Sequence, residues 1–301
     1  MLLLRDLSDK TSGPIVATLG NFDGVHLGHR EILHALQEVK KRKRLNSAVI
    51  LFEPQPREYF LDTTSERLMS LRQKIEIFKK FDVDMVVCLR FNAKLAALSA
   101  REFVENVLLR TLHVEHLVVG SDCAFGYKGT GNIALLREYE RKGSLVTDVV
   151  DAVSIDGVKV SSSRIKQVLK QGDFVLAQKM LGMPYRLGGK VSHGDERGRQ
   201  LGYPTANIVL RYKVSPLSGV YFGKVILENE REHSGIANIG YRPTFAVDKP
   251  LLEIHILNFN QNLYGQKIYI EFSRKIRDEI KFNSKDELIS QIEKDLKHTT
   301  P

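Results

Sequence analysis

Cysteine is nearly absent from this 301-residue chain, and so is any long apolar run. Two thiols, Cys88 and Cys123, cannot hold a chain of this size together, so the fold is expected to stand without disulfides, in a reducing cytoplasm. Apolar clusters such as Leu117-Val118-Val119 fall far short of the ~20 residues that cross a bilayer. The stretch Met1-Leu2-Leu3-Leu4-Arg5-Asp6 turns charged too soon to supply the apolar core of a secretory signal. No group of Cys and His has the spacing of a transition-metal site. Internal repeats and low-complexity segments are missing too. What remains is globular: 43% of residues are hydrophobic and 27% charged, and the length suffices for two domains with separate cores.

Lys and Arg outnumber Asp and Glu by 45 to 36, giving a formal charge of +9. An anionic partner follows, either nucleic acid or phosphorylated metabolites. The densest basic run, Lys40-Lys41-Arg42-Lys43-Arg44, continues a segment in which Ile32, Leu33, Leu36 and Val39 recur at helical spacing. Cations there complement the negative end of a helix dipole, so the run reads as a solvated helix end rather than a nucleic-acid contact.

Through the first half, β-rich runs alternate with helical patterns. Strands are predicted at Pro14 to Leu19, Ser47 to Phe52, Met85 to Leu89, His116 to Val119 and Leu145 to Val149. Helices are predicted at Arg30 to Val39, Leu71 to Phe81, Ala100 to Leu109 and Ile133 to Lys142. This alternation predicts an open parallel sheet with helices on its faces, whose ligands sit beyond the carboxyl ends of the strands. From about Leu187 the texture changes to short alternating strands: Gly189 to Ser192, Gly219 to Leu227, Ser234 to Ile239, Leu251 to Ile256 and Lys267 to Phe272. A small antiparallel barrel is expected, closed by a helix over Asp286 to Leu296. The boundary is placed near Gly182-Met183-Pro184, giving domains 1–183 and 184–301.

Two Gly-rich motifs lie almost 180 residues apart. In the first, Gly20-Asn21-Phe22-Asp23-Gly24-Val25-His26-Leu27-Gly28-His29, the residues Gly20, Gly24 and Gly28 let backbone amides approach phosphate oxygens. His26 and His29 offer hydrogen bonds to charge developing on a transferred phosphorus, and a helix N-terminus after His29 adds partial positive charge. A plain Gly-rich turn with two surface histidines is the competing reading. The second motif runs from Gly198 to Asn207 as Gly-Arg-Gln-Leu-Gly-Tyr-Pro-Thr-Ala-Asn. There Thr205 and Asn207 stand on alternate positions of an extended segment and offer hard oxygen ligands suited to Mg²⁺. Glu253 and His255 share a face of the Leu252-Glu253-Ile254-His255 strand. Ser161-Ser162-Ser163 precedes an apolar-periodic run and would cap a helix, with Lys166 one turn in.

These residues carry a resemblance. Gly20 to His29 is similar to the H-x-G-H signature of nucleotidyltransferases, in the form found in bacterial bifunctional riboflavin kinase/FAD synthetases. Phe52-Glu53-Pro54-Gln55-Pro56, Val118 to Gly126 and Val160 to Lys166 follow in family order, and Gly198 to Asn207 resembles the riboflavin kinase motif. The resemblance implies a Rossmann-like parallel-sheet domain that adenylylates FMN, followed by a β-barrel that phosphorylates riboflavin. ATP, riboflavin, FMN and FAD become substrates and products, Mg²⁺ the cofactor, and neither nucleic acid nor membrane a partner. Oligomeric state has no motif. The resemblance further implies that Asn21, Phe22 and Asp23 help receive ATP and that His26 and His29 steady its triphosphate. Asp122 would lie in the cleft, Ser162, Ser163 and Lys166 would meet phosphates, and Gly198, Thr205 and Asn207 would serve the second ATP and its metal. Glu253 is the implied catalytic carboxylate and His255 structural. Ala237 to Phe245 and Asn262 to Gly265 are expected as loops over flavin and nucleotide. Four positions depart from the family: Ser163 stands for a Thr and Lys166 for an Arg, which keep a hydroxyl and a charge, whereas Cys123 for a Phe and Gly129 for an Arg remove an aromatic surface and a bidentate phosphate clamp. The alternative is therefore a riboflavin kinase, or a flavin- or nucleotide-binding protein, with a degenerate adenylyltransferase domain.

Overall fold

Runs of β-branched residues bounded by Gly, Asn and Asp form strands where both faces find apolar cover, and that rule orders the first half of the protein. A computed structural model describes residues 1–5, 13–61, 66–193, 198, 201–210, 215–241 and 250–297. Its contacts divide the chain into two units, residues 1–65 with 71–162, and residues 66–70 with 163–301.

The first unit contains β1 (Leu2–Leu4), β2 (Ile15–Leu19), α1 (Leu27–Lys43), β3 (Asn46–Glu53), α2 (Pro56–Leu61), α3 (Leu71–Lys80), β4 (Met85–Arg90) and α4 (Ala93–Ala97). Next come α5 (Ala100–Glu102), which winds on as a π-helix over Phe103–Thr111, then β5 (Val114–Gly120), α6 (Ile133–Arg141), β6 (Val146–Val150), β7 (Ser154–Ile155) and β8 (Val158–Lys159). Six strands make one parallel sheet in the order β1-β4-β3-β2-β5-β6. In β2, Ile15, Val16, Ala17 and Thr18 are all buried, as the middle of a two-sided parallel sheet requires. Chain direction across the sheet reverses between β2 and β5, which opens a crevice beyond Leu19 and Gly120. Both the Gly20 to His29 motif and Asp122 begin at that crevice.

The basic run forms the last turn of α1, and Arg44 follows in the left-handed conformation that ends the helix. Lys41, Arg42, Lys43 and Arg44 are exposed, while Lys40 pairs with Asp82 and Asp84.

The second unit holds most of α7 (Ser162–Lys170), then α8 (Phe174–Leu181), β9 (Arg186–Lys190), β10 (Ala206–Val209), β11 (Gly219–Ile226), β12 (Glu232–Tyr241), β13 (Pro250–Ile256), β14 (Lys267–Arg277) and α9 (Lys285–Lys297). Its six strands pair antiparallel in the order β10-β13-β12-β11-β14-β9. Ser192, just past β9, bridges to Asn207 of β10 and nearly closes the sheet into a barrel. Alternation in β13 turns Leu252, Ile254 and Ile256 inward and leaves Glu253 and His255 outside.

Three expectations change. The strand read over Ser234 to Ile239 continues through Gly240 and Tyr241, which pair with β13, so β12 takes up the start of the segment expected as a loop. The helix read over Ala100 to Leu109 continues in π geometry to Thr111. α1 begins at Leu27 with His26 at its N-cap, not after His29, so His29 lies within the first turn of the helix. Gly194, Arg199, Gln200 and the Arg242 to Phe245 segment lie outside the described residues.

Barrel closure depends on a close approach at Gly188 of β9, where an added Cβ would run into the Ile268 carbonyl and the Tyr269 Cα of β14. Backbone cannot move aside as a side chain can. Gly188→Ala is expected to destabilise the second unit by about 1–3 kcal/mol, read as a lower denaturant midpoint. An unchanged midpoint would show the ladder is looser than its geometry.

Candidate active site

In the first unit the motif loop departs from β2 in an unusual conformation. Phe22 and Val25 have φ of 47° and 41°, values that bulky and β-branched side chains rarely adopt, and Gly24 has φ of 91°. Both strained side chains are almost fully buried, Phe22 against Phe78 of α3 with ring centroids 5.6 Å apart.

The loop's carbonyls are held by donors from three helices. Lys74 of α3 donates to the Asn21 carbonyl at 2.6 Å, Ser162 of α7 to the Asp23 carbonyl at 2.7 Å and Arg30 of α1 to the Val25 carbonyl at 3.2 Å. The Val25 amide meets the Phe22 carbonyl at 3.3 Å. With its acceptors turned to the protein, the segment leads into α1 without caps: His26 at the N-cap makes no side-chain bond to the helix, and the first turn has no acidic residue. Unsatisfied amides and the positive end of a 17-residue helix make an anion site there.

His26 and His29 stack at that helix end, with centroids 3.7 Å apart and planes 20° apart. The Nδ1 atoms of both are buried without a hydrogen-bond partner among the described residues. Burial pushes His26 down to about 4, although Asp23 and Asp122 pull the other way. Burial, then the neighbouring His26, then Lys74 press His29 well below the ordinary value. At neutral pH both rings are uncharged, each carrying one N–H to donate.

The other predicted residues of this site are distributed unevenly. Gly20 and Gly28 have only side-chain neighbours, Phe22 and His26 respectively. Asp122 stands past β5 and is bridged by Lys159 of β8 at 2.7 Å, an interaction that holds its carboxyl below the usual range. The Ser162 hydrogen is directed to the Asp23 carbonyl, so in this geometry the hydroxyl meets the loop as a donor. Ser163 and Lys166 follow on α7. Cys123 is partly buried against the core, and burial followed by Asp122 pushes its thiol up to about 12, leaving it unreactive. Gly129 adopts φ of 68° beside a left-handed Lys128, so the vacated Arg position is a tight turn.

In the second unit, Thr205 and Asn207 line a cavity of about 380 Å³ with Val191, Ala206, Ile254 and Tyr264. Asn207 is 7% exposed, its Nδ2 donates weakly to the Thr205 carbonyl at 3.4 Å, and its Oδ1 has no partner among the described residues. Glu253 does not line this cavity; it stands in register between Asn207 on β10 and Asn238 on β12. The Asn238 Nδ2 donates to Glu253 Oε2 at 3.4 Å. His255 is 2.9 Å from the Pro204 carbonyl through Nδ1. Because a carbonyl only accepts, Nδ1 carries the proton and His255 anchors the strand that presents Thr205. Gly198 approaches the Tyr203 carbonyl so closely that no Cβ would fit. A buried amide oxygen with no partner, a hydroxyl and a carboxylate fit a hard cation such as Mg²⁺. Among the described residues no group of three His, Cys, Asp or Glu forms a metal cage, so such an ion would also depend on substrate phosphates.

Against models of known families, residues 8–164 match FAD synthetase and residues 181–300 match riboflavin kinase. A bifunctional riboflavin kinase/FMN adenylyltransferase of Haemophilus influenzae is 44% identical over 98% of this chain and 97% of its own length. The chain belongs to the bifunctional riboflavin kinase/FMN adenylyltransferase family. The Escherichia coli K12 member is 41% identical over 98% of the chain and 96% of its own. A solved structure titled macrolide-efflux protein, from Streptococcus pneumoniae, superposes with TM-score 0.80 at 28% identity over 99% of both chains. No helix among the described residues is long and apolar enough to cross a membrane. The crevice with the two histidines lies within the FAD synthetase match, and the cavity with Thr205 and Asn207 within the riboflavin kinase match.

Sequence reading missed several residues beside these sites. Lys74 and Arg30 act on loop carbonyls from separate helices, which no motif announces. Tyr59 and Phe60, 39% and 60% exposed, cluster with Phe91 beyond the carboxyl ends of β3 and β4. Glu279 follows β14, accepts from Ser218 at 3.5 Å and is raised by burial and by Glu253. The exposed aromatic pair was the one signal open to sequence, as Tyr59-Phe60 within a polar stretch.

Depressed histidines link stability to pH. Between the ordinary 6.5 and about 4, the unfolded chain takes up a proton that folded His26 refuses, so stability falls as pH drops through that window. His26→Gln is expected to flatten this slope, measured as unfolding midpoints at about pH 7 and about pH 5. An identical slope in the variant would contradict a neutral His26.

Proposed function

We propose that residues 184–301 phosphorylate riboflavin with ATP to give FMN, and that residues 1–183 transfer AMP from a second ATP to FMN, giving FAD and pyrophosphate. Support comes chiefly from two separate phosphate-facing sites on one chain, each inside the matching family region.

For adenylyl transfer, an FMN phosphate oxygen attacks the α-phosphorus of ATP in line, the bond to the pyrophosphate oxygen breaks, and negative charge grows on the leaving group. The open amides of α1 and the His26 and His29 N–H groups face the place where that charge develops, ready before the reaction starts. Asp122 shares the crevice, with Lys159 as its present partner. Ser163 and Lys166 are read as phosphate contacts, and Ser162 as the tie between α7 and the loop. Tyr59 and Phe60, their rings 80° apart, offer exposed aromatic surface for packing one edge or face of the isoalloxazine ring, beyond the strand ends where ligands of such sheets lie.

For phosphoryl transfer, the terminal ribityl hydroxyl attacks the γ-phosphorus and ADP leaves. Glu253, oriented by Asn238, receives the hydroxyl proton. Thr205 and Asn207 would hold Mg²⁺ against the ATP phosphates, and Gly198 itself comes close to the Tyr203 carbonyl. When bound, the metal neutralises phosphate charge that the Glu253 carboxylate would otherwise repel. Neither Cys88 nor Cys123 is in a disulfide, which accords with a reducing cytoplasm as the setting.

Incubation with riboflavin, ATP and Mg²⁺, followed by separation of the flavins, tests the reading. FMN then FAD is expected; FMN alone would favour a kinase with a degenerate first domain, and neither product would sink both assignments. Glu253→Gln and Asn207→Ala are expected to lower FMN formation by at least about 100-fold while FMN is still converted to FAD. His29→Ala is expected to do the reverse. Loss of both activities from one such change in folded protein would contradict two independent sites.

A further inference from the structure

Among the residues of α3 that face the core, Lys74, Ile77 and Phe78, one is charged. An ammonium 4% exposed on an apolar helix face is costly unless its site uses it. Lys74 Nζ donates to the Asn21 carbonyl at 2.6 Å. One turn on, Phe78 packs edge-on against Phe22, the next residue of the loop. The helix α3 thus holds two consecutive loop residues, one by a charge-assisted hydrogen bond and one by an aromatic contact. Phe22 is also the residue with strained φ, and its ring lies 4.8 Å from that of His29.

We propose that Lys74 is a positioning residue for adenylyl transfer: it draws the Asn21 carbonyl away from the incoming phosphates and sets a fixed positive charge behind the histidine pair. The inference rests on reading the first unit as the FMN adenylyltransferase. A carbonyl released from Lys74 is free to rotate toward the crevice, where its partial negative charge would oppose the triphosphate. The same ammonium disfavours a proton on His29, so the ring stays a neutral donor. Groups bearing on the two rings are Asp23 and Asp122 at His26, and His26 and Lys74 at His29.

Three full-length variants separate these roles. Lys74→Met removes donor and charge, Lys74→Gln keeps a neutral donor, and Lys74→Arg keeps both. FAD formation from FMN and FMN formation from riboflavin are measured separately, and the His29 imidazole is titrated by NMR without substrate. Lys74→Met is expected to lower kcat for FAD formation at least about 30-fold with KM for FMN within about 3-fold, riboflavin phosphorylation being unchanged. Lys74→Arg should recover most of that loss, and Lys74→Gln should raise the His29 titration midpoint. Should Lys74→Met fail to fold, the Gln and Arg variants decide. Parental kcat in Lys74→Met, an unmoved His29 midpoint in Lys74→Gln, or no recovery by Lys74→Arg would each overturn the proposal. Absence of FAD formation in the parent protein would instead overturn the reading beneath it.

Discussion

The direction of the backbone between Gly20 and His29 is the constraint on which the first site depends. A peptide loop presents donors or acceptors to a phosphate, and only donors attract it. In this loop the carbonyls of Asn21, Phe22, Asp23 and Val25 all meet donors of the protein itself. Strain at Phe22 and Val25, of order 1–3 kcal/mol each, accompanies that arrangement. Burying both side chains and forming three side-chain bonds to the loop offset it. The helix that follows has no side-chain cap, so its first amides are open to an anion.

The second unit meets the same problem, an ATP phosphate chain, with different means. Thr205 and Asn207 lie at the start of a strand, where no aligned peptide dipoles accumulate. Glu253 and, near it, Glu279 add negative charge instead of relieving it. A site of that sign repels phosphate unless a cation intervenes, and the Asn207 oxygen without a partner among the described residues and the Thr205 hydroxyl are groups a hard cation accepts. Barrel geometry places Asn207, Glu253 and Asn238 in one cross-strand row, and Asn238 orients the carboxylate from the β12 side. One chain therefore offers open backbone amides at the edge of a parallel sheet and a set of side-chain oxygens in a barrel.

How much of this was legible follows from how local each signal is. The Gly20 to His29 motif, the Lys40 to Arg44 helix end and the Leu252 to His255 alternation depend on neighbours in sequence and are present in the structure, although α1 starts at Leu27 and not after His29. Lys74 was hidden because its sequence context, a lysine in a helix with other lysines, is that of a solvated residue; only packing of α3 on the sheet buries it. The extended reading at Thr205 and Asn207 and the strand to Ile239 were legible, while the last rungs of β12 at Gly240 and Tyr241 were masked by a glycine that usually marks a loop. The π turns from Phe103 onward have no local cause visible in the residues themselves. Ser162 had a legible role as phosphate ligand or cap, yet its observed partner is the Asp23 carbonyl, 139 residues away in sequence.

Neutral histidines at an anion site look at first like a wasted opportunity, since imidazolium would bind triphosphate more strongly. Two facts argue for the uncharged form. Rings stacked 3.7 Å apart cannot both be protonated without strong repulsion, and burial already penalises the first proton. A permanent charge would also stabilise bound ATP and the departing pyrophosphate alike, whereas a fixed N–H gains most where charge increases during the reaction. Burial of the pair beneath Phe22 thus has a chemical result: the strained, apolar turn that shapes the loop also keeps its two donors neutral across the physiological pH range.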